Sequence, residues 1–124
     1  MDGQQIQQHA KAIAEKLPAA ELCYPFGDAY AVYKVMDKMF LLVGTVEQQP
    51  IINLKTDPIR SEMLRDFYPS ILTGYHMNKR HWISVYAGDD IDPNLIEDLV
   101  KASYELIVSK LNKIQKIQLS AYQN

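Results

Sequence analysis

A single cysteine, Cys23, rules out an intramolecular disulfide and any Cys-x-x-Cys zinc or redox pair. A reducing compartment suits such a chain, and a cytoplasmic location is expected. Long hydrophobic runs are also missing: the longest strongly apolar stretch, 39–43, falls far short of the roughly 20 residues a membrane-spanning helix needs. Met1-Asp2-Gly3-Gln4-Gln5 has neither the basic start nor the apolar stretch of a secretory signal, so no membrane partner is expected. Positive charge is not in excess, with 13 Lys and Arg against 15 Asp and Glu. A protein that coats DNA by bulk electrostatics is thereby excluded, and any nucleic-acid role must use a local patch. Glycine is sparse, and no Gly-rich phosphate loop occurs. The 124 residues, 48% hydrophobic and 23% charged, suit one globular domain that buries roughly two-thirds of its unfolded surface.

Against this background one window stands out. Gly74-Tyr75-His76-Met77-Asn78-Lys79-Arg80-His81-Trp82 gathers two of the three histidines, the only tryptophan and two adjacent cations. It matches no catalytic, metal or phosphate motif of known mechanics.

The remainder reads as alternating helical and strand periods. Ile6, Ala10, Ile13, Ala14 and Leu17 recur at helical spacing over 4–17, with Asp2 and Gln5 placed as an N-terminal capping pair and Pro18 as the stop. Tyr24-Pro25-Phe26-Gly27 suits a turn pinned by two rings. Strands are expected at 30–36, 38–46 and 50–56, joined by hairpins at Asp37-Lys38 and Glu47-Gln48-Gln49. Asp57-Pro58 opens a short helix carrying the stripe Ile59, Met63, Leu64, Phe67. Two more strands, 71–76 and 81–87, flank a Met77-Asn78-Lys79-Arg80 tip. Asp92-Pro93 then opens one long helix whose stripe runs from Leu95 to Ile117, and 118–124 are expected to fray. The expectation is a single α+β domain over 1–124, of order α-β-β-β-α-β-β-α around one antiparallel sheet.

Period-2 alternation puts Arg80, Trp82, Ser84 and Tyr86 on one side of their strand and Ile83 and Val85 on the core side. Asn53 and Lys55 project to the same open face by that count. Rings interleaved with cations on an open sheet can stack bases and neutralise phosphates, at about 1–3 kcal/mol per stacked base. Equally, Trp82 and Tyr86 can be core aromatics beneath the final helix, with Lys79 and Arg80 merely keeping a hairpin tip soluble. His76 and His81 lack a third ligand nearby, and bracing of the loop accounts for them without a metal. The acidic run Asp89-Asp90-Asp92 precedes a helix, where carboxylates meet the dipole. Neither Cys23 nor Ser84 sits in a nucleophile motif, and no cofactor is expected.

Pro25-Phe26-Gly27, Val32-Tyr33-Lys34-Val35, Lys38-Met39-Phe40, Ile52-Asn53-Leu54-Lys55, Leu64-Arg65, Tyr68-Pro69, the 74–82 window and Ser103-Tyr104 together make the chain resemble the MmcQ/YjbR family of small bacterial proteins. The resemblance covers nearly the whole chain. It implies a frataxin-like (CyaY-like) α+β fold, with helices on one side of an antiparallel sheet, and the DNA-binding role with which the family is often labelled. Asp37 departs from a common turn glycine, Thr73 from a common proline, and Ile83 from a common polar residue after the tryptophan.

The resulting expectation is a non-enzymatic binding domain. Its candidate contacts to DNA or another ligand are Lys55, Tyr75, His76, Asn78, Lys79, Arg80, His81 and Trp82. The alternative is a module for a protein or a small anionic ligand, using the same rings and amides.

Overall fold

The computed structural model describes residues 1–123. Four helices and six strands follow in the order α1 (Gly3–Glu15), β1 (Ala20–Cys23), β2 (Ala31–Val35), β3 (Lys38–Val46), β4 (Gln49–Lys55), α2 (Pro58–Phe67), β5 (Ile71–Thr73), β6 (Trp82–Val85), α3 (Pro93–Ser109) and α4 (Lys113–Gln123). The strands make one antiparallel sheet, ordered β1-β2-β3-β4-β6-β5.

Helix starts follow their capping chemistry. Asp2 and Gln5 exchange backbone-to-side-chain bonds at 2.8 and 3.0 Å, while Asp57 and Asp92 each accept an amide three residues on, with proline at the first helical position. Two-residue turns join β2 to β3 and β3 to β4. Met36 and Asp37 (φ 47 and 66), then Glu47 and Gln48 (φ 49 and 68), take the left-handed conformation that matches strand twist.

Register lines up Val43, Ile52 and Val85 in one row and Leu41, Leu54 and Ile83 in the next. These residues meet Ile6, Ala10 and Ala14 of α1 and Ile96, Leu99 and Val100 of α3, with Leu64 of α2 and Leu119 of α4 completing the same core. Each fully buried aliphatic side chain there contributes roughly 1.5–3 kcal/mol. Buried Ser103 ties α3 to the sheet, donating to the Phe40 carbonyl at 2.6 Å and accepting the Lys55 amide at 2.9 Å. The intervening residues Leu42, Asn53, Ser84 and Leu72 look the other way, onto a face that carries no helix.

Several expectations need correction. Strand β1, unforeseen, pairs with β2 as an edge strand whose Glu21 and Leu22 stay exposed, so burial leaves no periodic mark on it. The long final helix is two. Asn112 and Gln115 exchange bonds at 2.8 and 3.1 Å and restart the chain as α4, so Ile114 and Ile117 point to solvent rather than extending the stripe. Residues 118–122, expected to fray, continue α4 because Leu119 docks in the core; of that tail Asn124 lies outside the described residues. On α2 the core contacts come from Ser61 and Leu64, and Ile59, Met63 and Phe67 are exposed. The last two strands are shorter than expected, leaving 74–81 as a loop.

Candidate functional site

The 74–82 segment is not a simple hairpin tip. Gly74 still donates to the Trp82 carbonyl at 2.8 Å as a ladder pair, but the next amide leaves the ladder. Tyr75 N–H donates to Ser84 Oγ at 2.9 Å, Ser84 Oγ–H in turn donates to Asn53 Oδ1, and Asn53 Nδ2 donates to the Tyr75 carbonyl at 3.4 Å. Three groups close a ring of hydrogen bonds across β6 and β4. Ser84 and Asn53 are buried, and the ring satisfies polar atoms that would otherwise cost about 1–3 kcal/mol each. It also folds the loop back over the helix-free face.

Within the loop His76 takes a left-handed φ of 56, and its ring meets Tyr75 edge-on at 4.1 Å. Asn78 organises the return. Its carbonyl accepts the amides of His81 and Trp82 at 3.2 and 3.0 Å, and its Oδ1 accepts the Arg80 amide at 3.0 Å. The His81 carbonyl accepts the Thr56 amide at 2.8 Å and pins the far end to the segment after β4.

The candidate residues therefore divide. Tyr75, His76, Asn78, Lys79 and Arg80 are exposed, and His81 and Lys55 are half-buried. Trp82 lies on the helix-free side, as alternation requires, yet it is only 9% exposed. A Cβ on Gly74 would come within 2.7 Å of the Trp82 Cβ, so the loop packs directly on the tryptophan. The expected open face of Trp82 with Asn53 is thus covered, and the indole cannot serve as a stacking platform. Folding-back of the loop, a tertiary event, is the reason.

Lys55 pairs with Trp82 in register and so sits beside the base of the loop. Its pKa is lowered, by burial first and then by the cations Lys110 and Lys38. The last two were missed as members of a cluster. The start of β3 lies next to the end of β4 in an antiparallel pair, and that geometry was the available signal for Lys38. Loop 74–82 contains no Asp or Glu, and among the described residues the ion pairs are Lys34–Asp37 at 3.8 Å and Lys101–Glu97 at 2.8 Å. Lys79, Arg80 and Lys55 thus have no carboxylate within ion-pair reach.

Beneath the loop lies a cleft of about 230 Å³ walled by Phe26, Tyr30, Leu42, Ile51 and Met77. Across Val46 and Tyr75 it adjoins a recess of about 490 Å³ that includes Glu47, Leu72 and Tyr86. Phe26 and Tyr30 were read only as parts of a turn and a strand. Among the described residues no three His, Cys, Asp or Glu side chains converge as metal ligands, and no helix is long and apolar enough to cross a membrane.

Comparison with known proteins bears on the same architecture. The YbdF protein of Escherichia coli O157:H7 is 47% identical over 113 residues, covering 91% of this chain and 93% of that one. The YjbR protein of Escherichia coli K12 is 38% identical over 78 residues, covering 63% of this chain and 66% of its own. A crystal structure of a Deinococcus radiodurans protein with the DUF419 domain superposes with a TM-score of 0.79 at 33% identity, covering 89% of this chain and 84% of that one. A Pseudomonas syringae protein gives 0.66 at 28% identity, covering 86% and 98%. The YjbR family model matches residues 15–106, from the end of α1 through most of α3 and including the whole loop, and the chain belongs to the YjbR family.

Proposed function

We propose that the protein is a non-enzymatic binding domain whose 74–82 loop engages an anionic partner, with DNA as the macromolecule of that chemistry. One observation carries the reading: the Asn53–Ser84–Tyr75 ring holds in place a loop that presents Lys79 and Arg80 to solvent, and among the described residues neither makes an ion pair. A loop already held in place loses little backbone freedom on binding, and phosphates supply the counter-charge. Lys55, crowded by Lys38 and Lys110, extends the positive region at the base of the loop. Any stacking falls to Tyr75 and His76 instead of the buried Trp82.

The test is fluorescence anisotropy with labelled single- and double-stranded oligonucleotides at about 50 mM salt. Reversing both charges, Lys79→Glu with Arg80→Glu, is expected to weaken binding at least tenfold and to shrink the log–log salt slope by roughly 1.4–1.8. Unchanged affinity in the double variant, or no affinity in the parent, refutes the reading.

A second reading, a protein-interaction module, is supported by α2, where Ile59, Met63 and Phe67 recur every fourth residue and are 75%, 65% and 75% exposed. Capture of a protein partner that survives nuclease and high salt, and is lost in Met63→Glu, favours it over DNA.

A further inference from the structure

We infer that the groove on the helix-free face binds a small organic cation bearing an apolar ring. The ring sits between Phe26, Tyr30 and Met77, and the ammonium lies by Glu47 beside Tyr75 and Tyr86. The groove shares Tyr75 and Met77 with the loop but uses neither Lys79 nor Arg80, so Glu47→Gln tests it without touching the basic tip.

Size and lining specify the ring end. A dry cavity of about 150 Å³ is enough to hold benzene, so the 230 Å³ cleft accommodates one ring with a short substituent. Its walls are mainly aromatic or aliphatic, with Thr45, Asn53 and His76 as the polar members. Phe26 is 63% exposed and Tyr75 44%, which leaves two rings in water at the edges of a preformed hollow. Tyr30 is a fixed wall, because its ring lies against the bare Cα of Gly44, where even a Cβ would collide with it. Covering those surfaces with an apolar ring removes the unfavourable hydration of both partners.

Charge specifies the other end. Val46 and Tyr75 border both hollows, so the cleft and the recess are neighbours along these side chains. The recess is lined by one carboxylate, Glu47, two tyrosine rings, and no Lys, Arg or His. Glu47 and Tyr86 line the same recess, and the Tyr86 phenol is shifted up by burial and next by the Glu47 carboxylate. Ring faces with an adjacent carboxylate attract an ammonium and repel an anion. A neutral ligand gains only the cleft.

Calorimetric titration of the full chain with phenethylamine, phenethyl alcohol, phenylacetate and thymidine tests this. The amine should bind saturably and about tenfold tighter than the alcohol, with the anion weaker still. Glu47→Gln should erase the advantage of the amine while leaving the alcohol unchanged. Phe26→Ala should weaken both, and since both positions are exposed, unaltered melting curves will show that the fold is intact. Equal binding of amine, alcohol and anion, no saturable binding by any of them, or an unchanged order in Glu47→Gln overturns the inference. Tighter binding of thymidine than of the amine also overturns it, in favour of a seat for a nucleobase.

Discussion

The amide of Tyr75 is held at 2.9 Å by the hydroxyl of Ser84, nine positions later, on the side of the sheet that has no helix. Removing that hydroxyl leaves the part-buried Tyr75 N–H and the buried Asn53 Oδ1 without their partner. Ser84→Ala should therefore cost about 1–3 kcal/mol in urea unfolding. Hydrogen exchange at Tyr75 should accelerate by more than exchange in α1 or α3. Uniform acceleration, or none, would show that the loop is held by packing alone.

Asp90 accepts the amide and the hydroxyl of Ser70 at 2.9 and 2.6 Å, clamping the entry of β5 to the turn before α3. Burial pushes its pKa upward, but the side-chain and backbone bonds from Ser70 outweigh it, and the net shift is downward. A depressed carboxylate pKa contributes stability above the unfolded value near 3.8, and that stability is lost as pH falls through the lower folded value. Asp90→Asn is thus expected to be less stable than the parent at neutral pH, with the gap closing below about pH 4. Denaturant melts across that range decide it; a gap that stays constant with pH excludes the carboxylate charge as the cause.

Gln48 occupies the second turn position between β3 and β4 at φ 68, where an L side chain carries strain. Gln48→Gly should raise stability by roughly 0.5–1 kcal/mol, since relief of that strain exceeds the added freedom of the unfolded chain. Asp37→Gly, at φ 66 in the preceding turn, should gain less, because aspartate tolerates this conformation better. Calorimetric melting of the two variants measures both effects, and a lower midpoint for Gln48→Gly contradicts the assignment.

Local chemistry explains which features could be read from the residues alone. Asp2 with Gln5, Asp57-Pro58 and Asp92-Pro93 each begin a helix within a few positions, and strand alternation correctly turned Ile52, Leu54, Ile83 and Val85 toward the core. What escaped depended on distant partners. Asn53 and Ser84 are 31 positions apart, and only once β4 and β6 lie side by side do they capture Tyr75 and pull the loop over Trp82. Their signal was present as two polar residues amid apolar strand neighbours. Tyr30 belongs to the cleft only because β2 and β3 bring it alongside Gly44, and Phe26 of the preceding turn joins it there.

The strand order has a consequence for biosynthesis. Because β6 is the last strand in sequence yet lies between β4 and β5, a nascent polypeptide that has emerged only as far as Thr73 has an unfilled slot in its sheet. The flank of β4 then offers bare amides and carbonyls beside Ile52 and Leu54 until Trp82–Val85 arrives. Ribosome stalling inside this interval leaves a template for aggregation, which the finished protein conceals between β4 and β5.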